Sequence, residues 1–396
     1  MRNIKTALII FLPCALLALV FGMFFFLPQP PRSPAAFSPP AVAAVQPAAS
    51  QPPAPEPLPA QSAAPSPEGP IRYIYEQLTP GEKTVYDRLR EALQKMEPSA
   101  VLSRDEARGL GTFDVIDIYY AVICDYPEIF WADSYIYTGV SPFSQDAYLR
   151  VTFNFTMTAA ERDAAQEKID EWVSACLSGL GSGADDFSKI LYVYDYIISH
   201  TKYDITAEYS QDIVSVFLNG RSVCMGYTKA TQYLLRRLGI ASAVIPGEAA
   251  GLGPHAWNLV LAEGDYYYLD ATWGDPDLSK NTYASYDYFL VTSADMAATH
   301  QPDVKYALPD CAATRLNYFN VMGRLFDKYD RAALSRAMRE DLDASGLSAV
   351  RFSSAEAYSE AKRDLFDSQN IFTVSSNPRI SYFLSDDLRI ITVLER

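Results

Sequence analysis

At 396 residues the chain is longer than one compact domain usually needs, and its 49% apolar content, with 27 Tyr and 20 Phe, supplies a sizeable core. A formal net charge of −15 leaves no phosphate-neutralising excess of Lys and Arg, which excludes a nucleic-acid partner; the acidity reads as a solvated surface. Five cysteines at positions 14, 124, 176, 224 and 311, with no CxxC pair, exclude a disulfide-dense scaffold and a zinc ribbon, and three histidines leave little material for a metal site, so neither cofactor nor metal is expected.

The opening MRNIK carries Arg2 and Lys5 and is followed by an apolar run of roughly 22 residues, Thr6 to Leu27, long enough to span a bilayer as a helix. Positive charge before the run, with no basic cluster after it, predicts a transmembrane signal-anchor over 1–27 and a folded part outside the cytoplasm. A cleaved signal peptide, which would leave the protein secreted, normally has a shorter apolar stretch and a small-residue site close behind. Here Pro28, Gln29, Pro30 and Pro31 follow at once. Residues 28–70 hold fifteen of the 26 prolines amid Ala, Ser and Gln, the composition of a stiff, disordered linker. Fully extended, it reaches on the order of 130 Å at about 3.1 Å per residue.

From 71 to 181 the pattern predicts a mixed α+β domain. Thr79-Pro80-Gly81-Glu82 is a capping box with proline at the first helical position, and Val85, Leu89, Leu93 and Met96 recur behind it at helical spacing. A short helix (FDVIDIYYAVI) and two strands (IFWADSYIY and AYLRVTFNF) follow, and a second capping box, Thr158 to Glu161, opens another helix. No chemical constellation stands out in this stretch.

Residues 182–312 change character. A helix (DDFSKILYVYDYIISH) leads through a loop to Cys224, and MGYTKATQYLLRRLGI behind it has a helical apolar pattern ending at Gly239. Cys224 therefore sits at or near a helix N-terminus, where unpaired backbone N–H groups and the helix dipole favour a thiolate. Gly220 and Gly226 bracket the turn and leave room for an incoming substrate. Alone, such a cysteine is most often an ordinary buried one.

His255 opens the strand HAWNLVL, and YYYLDATW reads as the next strand. A two-residue hairpin loop at Glu263-Gly264 pairs Ala262 with Asp265 and Trp257 with Asp270, placing His255, Trp257 and Asp270 on one face with Asp270 diagonal to His255. A slip of one residue would separate them. Thiol, imidazole and carboxylate in this order fit nucleophilic catalysis: Cys224 attacks, His255 takes and returns the proton, and Asp270 fixes the imidazole's tautomer. Trp257 and Trp273 flank the trio as candidate cleft walls beside Gly226, with core packing as the competing reading. Asp275 and Asp277 read as a turn, because the ligand series of a calcium loop is missing. His300 has no role that the sequence supplies, and Cys124, Cys176 and Cys311 leave room for one disulfide with nothing to fix the pair.

Residues 313–396 predict strand (RLNYFNVMG), helix (YDRAALSRAMREDL), strand (SAVRFS), helix (AEAYSEAKRDLF) and two closing strands (IFTVSS and LRIITVLE), a small α/β sandwich.

The segments GRSVCMGYTKATQYLLRRLGI, PHAWNLVLAEGDYYYLDATWGDP and YDYFLVTSADMAATHQP resemble the core motifs of the bacterial transglutaminase-like superfamily, over about Asp185 to His300. The resemblance implies a papain-like α+β core and thiol acyl chemistry, with Cys224, His255 and Asp270 filling the three catalytic positions. It also implies an oxyanion hole from the backbone N–H of Cys224 and one more donor between Tyr203 and Ser222. The substrate class that follows is an amide of a protein, peptide or cell-wall peptide. That family includes crosslinking transferases, peptidases, amidases and members with no demonstrated reaction. Hydrolysis is the first expectation because water is the default acceptor in an open cleft, transfer to an amine is the second, and a non-catalytic surface-tethered scaffold is the alternative. EQLTPGEKTVYDRL and DYPEIFWADSYIY are similar to N-terminal regions of surface proteins from Gram-positive anaerobes. The expected architecture is therefore α+β: a papain/transglutaminase-like core flanked by an N-terminal α+β region and a small C-terminal α/β sandwich, behind a single N-terminal transmembrane helix.

Overall fold

Helices begin where the sequence supplies caps. In the computed structural model, which describes residues 72–140, 149–275, 283–375, 377 and 379–395, Thr79 and Thr158 each accept from the backbone N–H three residues on while Glu82 and Glu161 reach back. These reciprocal bonds open the helices Pro80–Gln94 and Ala159–Leu177. Pro80–Gln94 packs against the helix Thr112–Asp125. Between and after them lie β1 (Ser99–Leu102), β2 (Ala132–Val140) and β3 (Leu149–Phe155), an antiparallel sheet in the order β1-β3-β2. β2 begins at Ala132 rather than at Ile129, because Ile129, Phe130 and Trp131 are buried in succession in the preceding turn instead of alternating.

Asp185 caps the helix Asp186–His200. β4 (Lys202–Tyr203), the short helix Ile213–Phe217 and β5 (Arg221–Ser222) then lead into the helix Cys224–Arg237, with β4 and β5 paired in parallel. That helix lies on β6 (Ala241–Ala249) and β7 (Gly253–Ala262), two members of a four-stranded antiparallel sheet completed by β8 (Asp265–Leu269) and β9 (His300–Pro302). The order is β8-β7-β6-β9. Glu263 and Gly264 both have positive φ, 48° and 88°, the signature of a type I′ hairpin turn, and Ala262 pairs with Asp265 as the sequence predicts. The expected strand YYYLDATW is cut short: β8 ends at Leu269, and the chain turns at Asp270.

One continuous apolar cluster runs from Ile74 to Leu316 and draws on residues both before and after position 181. A second, built from Leu334 to Val393, belongs to the C-terminal sheet of β10 (Leu325–Phe326), β11 (Leu347–Phe352), β12 (Ile380–Ser385) and β13 (Ile390–Glu395), ordered β10-β11-β13-β12. Its helices are Arg331–Ser345 and Ala355–Lys362, the latter running into a π-helical turn, Arg363–Asp367. Two expected strands are helical turns instead: RLNYFNVMG contains Tyr318–Val321, and IFTVSS contains Ile371–Val374. In the second, Ile371 and Val374 are buried while Phe372 and Thr373 face solvent, so the burial period is that of a helix despite the β-branched composition. β12 is a strand that the sequence reading did not identify.

Cys124, Cys176, Cys224 and Cys311 are all free thiols, so the room that the sequence left for one disulfide is not used among them. The expected anchor (1–27), the linker (28–70) and Asp277 lie outside the described residues, and among the described residues no helix is long and apolar enough to cross a membrane.

Candidate active site

Cys224 is the first residue of its helix and half-buried. Val223 ahead of it is extended and supplies no side-chain cap, so the first backbone N–H groups are left for whatever sits before the helix. The approach to Cys224 is fixed by a buried polar loop. Ser222 Oγ lies 2.9 Å from the Ser210 carbonyl and 2.6 Å from Ser215 Oγ, and Lys229 Nζ meets Asp212 Oδ1 at 3.0 Å, both side chains buried. This loop explains Gly226: a Cβ there would stand 1.9 Å from Ser222 Oγ and 2.9 Å from the Ser210 carbonyl. Glycine is required by the serine loop closing on the helix, not by room for a substrate.

The helix and the His255 strand are stitched together next to Cys224 and His255. Thr228 Oγ1, one turn after Cys224, lies 2.8 Å from the Cys224 carbonyl and 2.9 Å from the carbonyl of Ala256, the neighbour of His255. Asn258 Nδ2 donates to the Thr228 carbonyl at 3.1 Å and to Ser242 Oγ at 3.2 Å. His255 Nε2 lies 2.7 Å from Asp270 Oδ2, both residues buried, as the hairpin register predicts. That bond leaves Nδ1 as the ring nitrogen available to the Cys224 thiol.

Asp270 is held on every side. Its Oδ1 accepts the backbone N–H of Thr272 (2.8 Å) and of Trp273 (3.3 Å), and its own N–H donates to the Tyr288 carbonyl (3.1 Å). Behind the turn, the Tyr194 hydroxyl donates to the Ser285 carbonyl at 2.6 Å, and Gly274 passes so close that a Cβ would stand 2.0 Å from that hydroxyl. Asp275 is buried in the same turn, where it accepts the Tyr227 hydroxyl. Burial alone would lower the His255 pKa. The charge and hydrogen bond of Asp270, helped by Cys224, outweigh it and carry the imidazole up to about 10. Burial alone would likewise raise Asp270, but His255 and His300 hold it well below the usual carboxylate range.

Two further residues lie at the site: His300, which the sequence left without a role, and Tyr203, which bounds the stretch expected to hold a second oxyanion donor. His300, on β9, places Nε2 3.2 Å from Asp270 Oδ2, the oxygen that also meets His255. It reaches across because the part of β6 that lies between the two histidines presents the small residues Gly247 and Ala249 on that face, paired with His255 and with His300 respectively. Tyr203 is pinned by β4–β5 pairing opposite Ser222, two residues before Cys224, and its ring lies 6.4 Å from that of Tyr227. Its hydroxyl has no hydrogen-bond partner among the described residues and is close enough to Cys224 and Asp270 for their charges to reinforce the effect of burial and raise it to about 12. Trp257 is fully buried, its ring 6.1 Å from His255 and 5.0 Å from His300, so it packs beneath the site rather than walling a cleft. Trp273 is partly exposed, 5.9 Å from His255 and 4.5 Å from His300. The ligand atoms of His255, Asp270 and His300 lie within 4.8 Å of one another, the spacing of a compact metal site. The hydrogen bonds from both imidazoles to one carboxylate oxygen account for the clustering without a metal.

Residues 175–271 match the family model for the transglutaminase-like superfamily, a stretch that takes in Cys224, His255 and Asp270. The chain carries a transglutaminase-like domain. The kyphoscoliosis peptidase of Homo sapiens is 28% identical over 167 residues, 37% of this chain and 25% of that protein. Its Mus musculus counterpart is 27% identical over 168 residues, with the same shares. The match thus spans a quarter of the length of these curated relatives. A solved structure of a TGase aligns over 34% of this chain and 43% of its own, at 15% identity and a TM-score of 0.26.

Proposed function

We propose that this protein is a cysteine enzyme that opens amides of proteins or peptides through a thioester on Cys224, with His255 as proton carrier and Asp270 as the carboxylate that orients it. The observation that carries the reading is the buried 2.7 Å His255–Asp270 hydrogen bond, set beside a half-buried cysteine at an uncapped helix start.

In the resting site the thiol proton resides on His255 Nδ1, giving a thiolate–imidazolium pair. The thiolate attacks the amide carbon, the carbonyl π electrons move to oxygen, and the backbone N–H of Cys224 and the Tyr203 hydroxyl donate to that oxygen. As the C–N bond breaks, Nδ1–H passes its proton to the leaving amine and the thioester remains. Water then gives a proton to His255 while its oxygen attacks the thioester, and the departing sulfur returns the site to its starting state. Asp270 keeps its charge throughout and holds Nε2–H, so that Nδ1 always faces the sulfur. The open side of Cys224 favours water over an amine as the acceptor. The folded part works outside the cytoplasm, carried there by the apolar run from Thr6 to Leu27, where protein and cell-wall peptide amides are the substrates at hand.

The test is the rate at which iodoacetamide alkylates Cys224 between pH 4 and 9 in the full-length chain and in His255→Ala. Rapid reaction well below pH 8 that disappears in the variant supports the pair and directs the search to amide substrates. A thiol that behaves alike in both proteins, or reacts in neither, replaces the enzyme with a surface-tethered scaffold.

A further inference from the structure

Asp270 is shared by two imidazoles, although the whole chain has only three histidines. His300 is buried, and its ring is boxed by Trp273 at 4.5 Å and by Trp257 and Tyr288 at 5.0 Å each. Its Nδ1 lies 2.8 Å from Thr299 Oγ1, which in turn lies 2.6 Å from the Tyr288 hydroxyl. For a ring carrying one proton, the order that satisfies every group runs one way: Tyr288 O–H donates to Thr299, Thr299 O–H donates to Nδ1, and the ring proton sits on Nε2, aimed at Asp270 Oδ2. The strand between the two histidines is shaped for this approach. A Cβ on Gly247 would stand 2.5 Å from the Trp257 ring and 2.3 Å from the Gln301 carbonyl, so only glycine lets β9 close on β6 with His300 in place.

We propose that His300 is a positioning residue for the Cys224 centre, acting through Asp270; the proposal rests on the reading of that centre as catalytic. A carboxylate turns easily about its terminal torsion, which has broad wells. Backbone N–H groups fix Oδ1, and His300 fixes Oδ2, so the lone pair that meets His255 Nε2 has one direction. Without the His300 donor, Oδ2 swings away from His255 and the Nδ1–sulfur geometry is lost with it.

The experiment uses full-length His300→Gln and His300→Met, nearly the same shape, of which only Gln carries an N–H donor able to reach Asp270. The readout is the pH profile of Cys224 alkylation by iodoacetamide, with His255→Ala alongside. The proposal expects Gln to stay within about twofold of wild type, and Met to lose about tenfold at pH 6, the consequence of removing one hydrogen bond to a buried charge. Equal losses in Gln and Met mean that His300 merely fills space and overturn the proposal, as does a Met profile that matches wild type. If His255→Ala itself leaves the wild-type profile unchanged, the catalytic reading fails first. If it abolishes the low-pH reaction while Met does not, only the role of His300 falls. Should neither His300 variant fold, the imidazole 15N spectrum of the wild-type chain decides: a proton on Nε2 of His300 sustains the proposal, and a proton on Nδ1 alone overturns it.

Discussion

The two four-stranded sheets, each packed by helices, differ in what they bury. Over β10–β13 the buried side chains are chiefly Leu334, Met338, Leu342, Val350, Phe352, Ile391 and Val393. Over β6–β9 the helix Cys224–Arg237 buries Thr228, Lys229, Thr231 and Gln232, and the strands and the turn beyond β8 add Ser242, His255, Asn258, Asp270 and His300. A buried polar group without a partner costs about 1–3 kcal/mol, so a sheet under pressure for stability alone converges on the first pattern. The second pattern is tolerable because most of these groups are bonded to one another, and it concentrates around one thiol. Polar density inside a sheet, rather than any single residue, separates the sheet that holds the candidate site from the one that packs.

The contrast breaks most sharply at Asp270. Asp270→Asn is expected to slow Cys224 alkylation at pH 6 by about 10²-fold or more, since the imidazole loses the charge that holds it protonated and oriented. Linked stability has a defined window. His255 has a folded pKa of about 10, above its unfolded value near 6.5, so its stabilisation is complete below about pH 6.5 and is lost as pH rises through about 10. Asp270 is depressed, so its stabilisation is present above about pH 3.9 and is lost as pH falls. The difference in urea midpoint between wild type and His255→Gln should therefore be widest between about pH 4 and 6.5 and narrow steadily toward pH 10. A difference that widens with pH would contradict the assignment.

On the apolar side, Ile391→Ala is expected to cost about 2–5 kcal/mol in unfolding free energy while leaving Cys224 alkylation within twofold of wild type. Ile391 pairs with Val350 and Leu384 in the middle of its sheet and belongs to an apolar cluster that holds none of the site residues. Loss of thiol reactivity in the folded variant would show that the two sheets are coupled and that the comparison is drawn too sharply.

Tyr203→Phe sharpens the comparison within the site. In the proposed mechanism the hydroxyl serves only a developing oxyanion, so acylation of Cys224 by p-nitrophenyl acetate should fall about tenfold, the low end for a lost oxyanion donor because Tyr203 is half-buried. Alkylation by iodoacetamide, which develops no such oxygen, should not change. A parallel drop in both reactions would assign Tyr203 to packing against Tyr227 instead.

How far the site could be read from the chain follows the same division. His255 and Asp270 were legible because fifteen residues and one I′ turn fix their register, and the turn residues Glu263 and Gly264 announce it. Cys224 was legible from the helical pattern behind it. His300 was not: its place depends on β9 pairing with β6 at Ala249, some fifty residues back, and on the space over Gly247. Tyr203 depends on a two-residue parallel pairing that leaves no periodic trace. Trp257 was left open between cleft wall and core because alternation shows which face a residue takes, not whether that face is covered.

The smallest predicted effect tests the C-terminal element whose type the composition concealed. In IFTV, a strand buries alternate residues, Ile371 with Thr373, whereas the helix Ile371–Val374 buries Ile371 with Val374. Val374→Ala should then cost about 1–3 kcal/mol, the loss of buried methyl groups plus a small cavity. Thr373→Ala and Phe372→Ser, on the solvent face, should each stay within about 0.5 kcal/mol; the Thr373 hydroxyl bonds only the exposed Asn370 carbonyl, at 2.7 Å. Chemical denaturation of the three variants measures this directly. If Thr373→Ala were the costly change and Val374→Ala the silent one, the segment would be a strand, and the cover of β11 and β13 would have to be rebuilt around it.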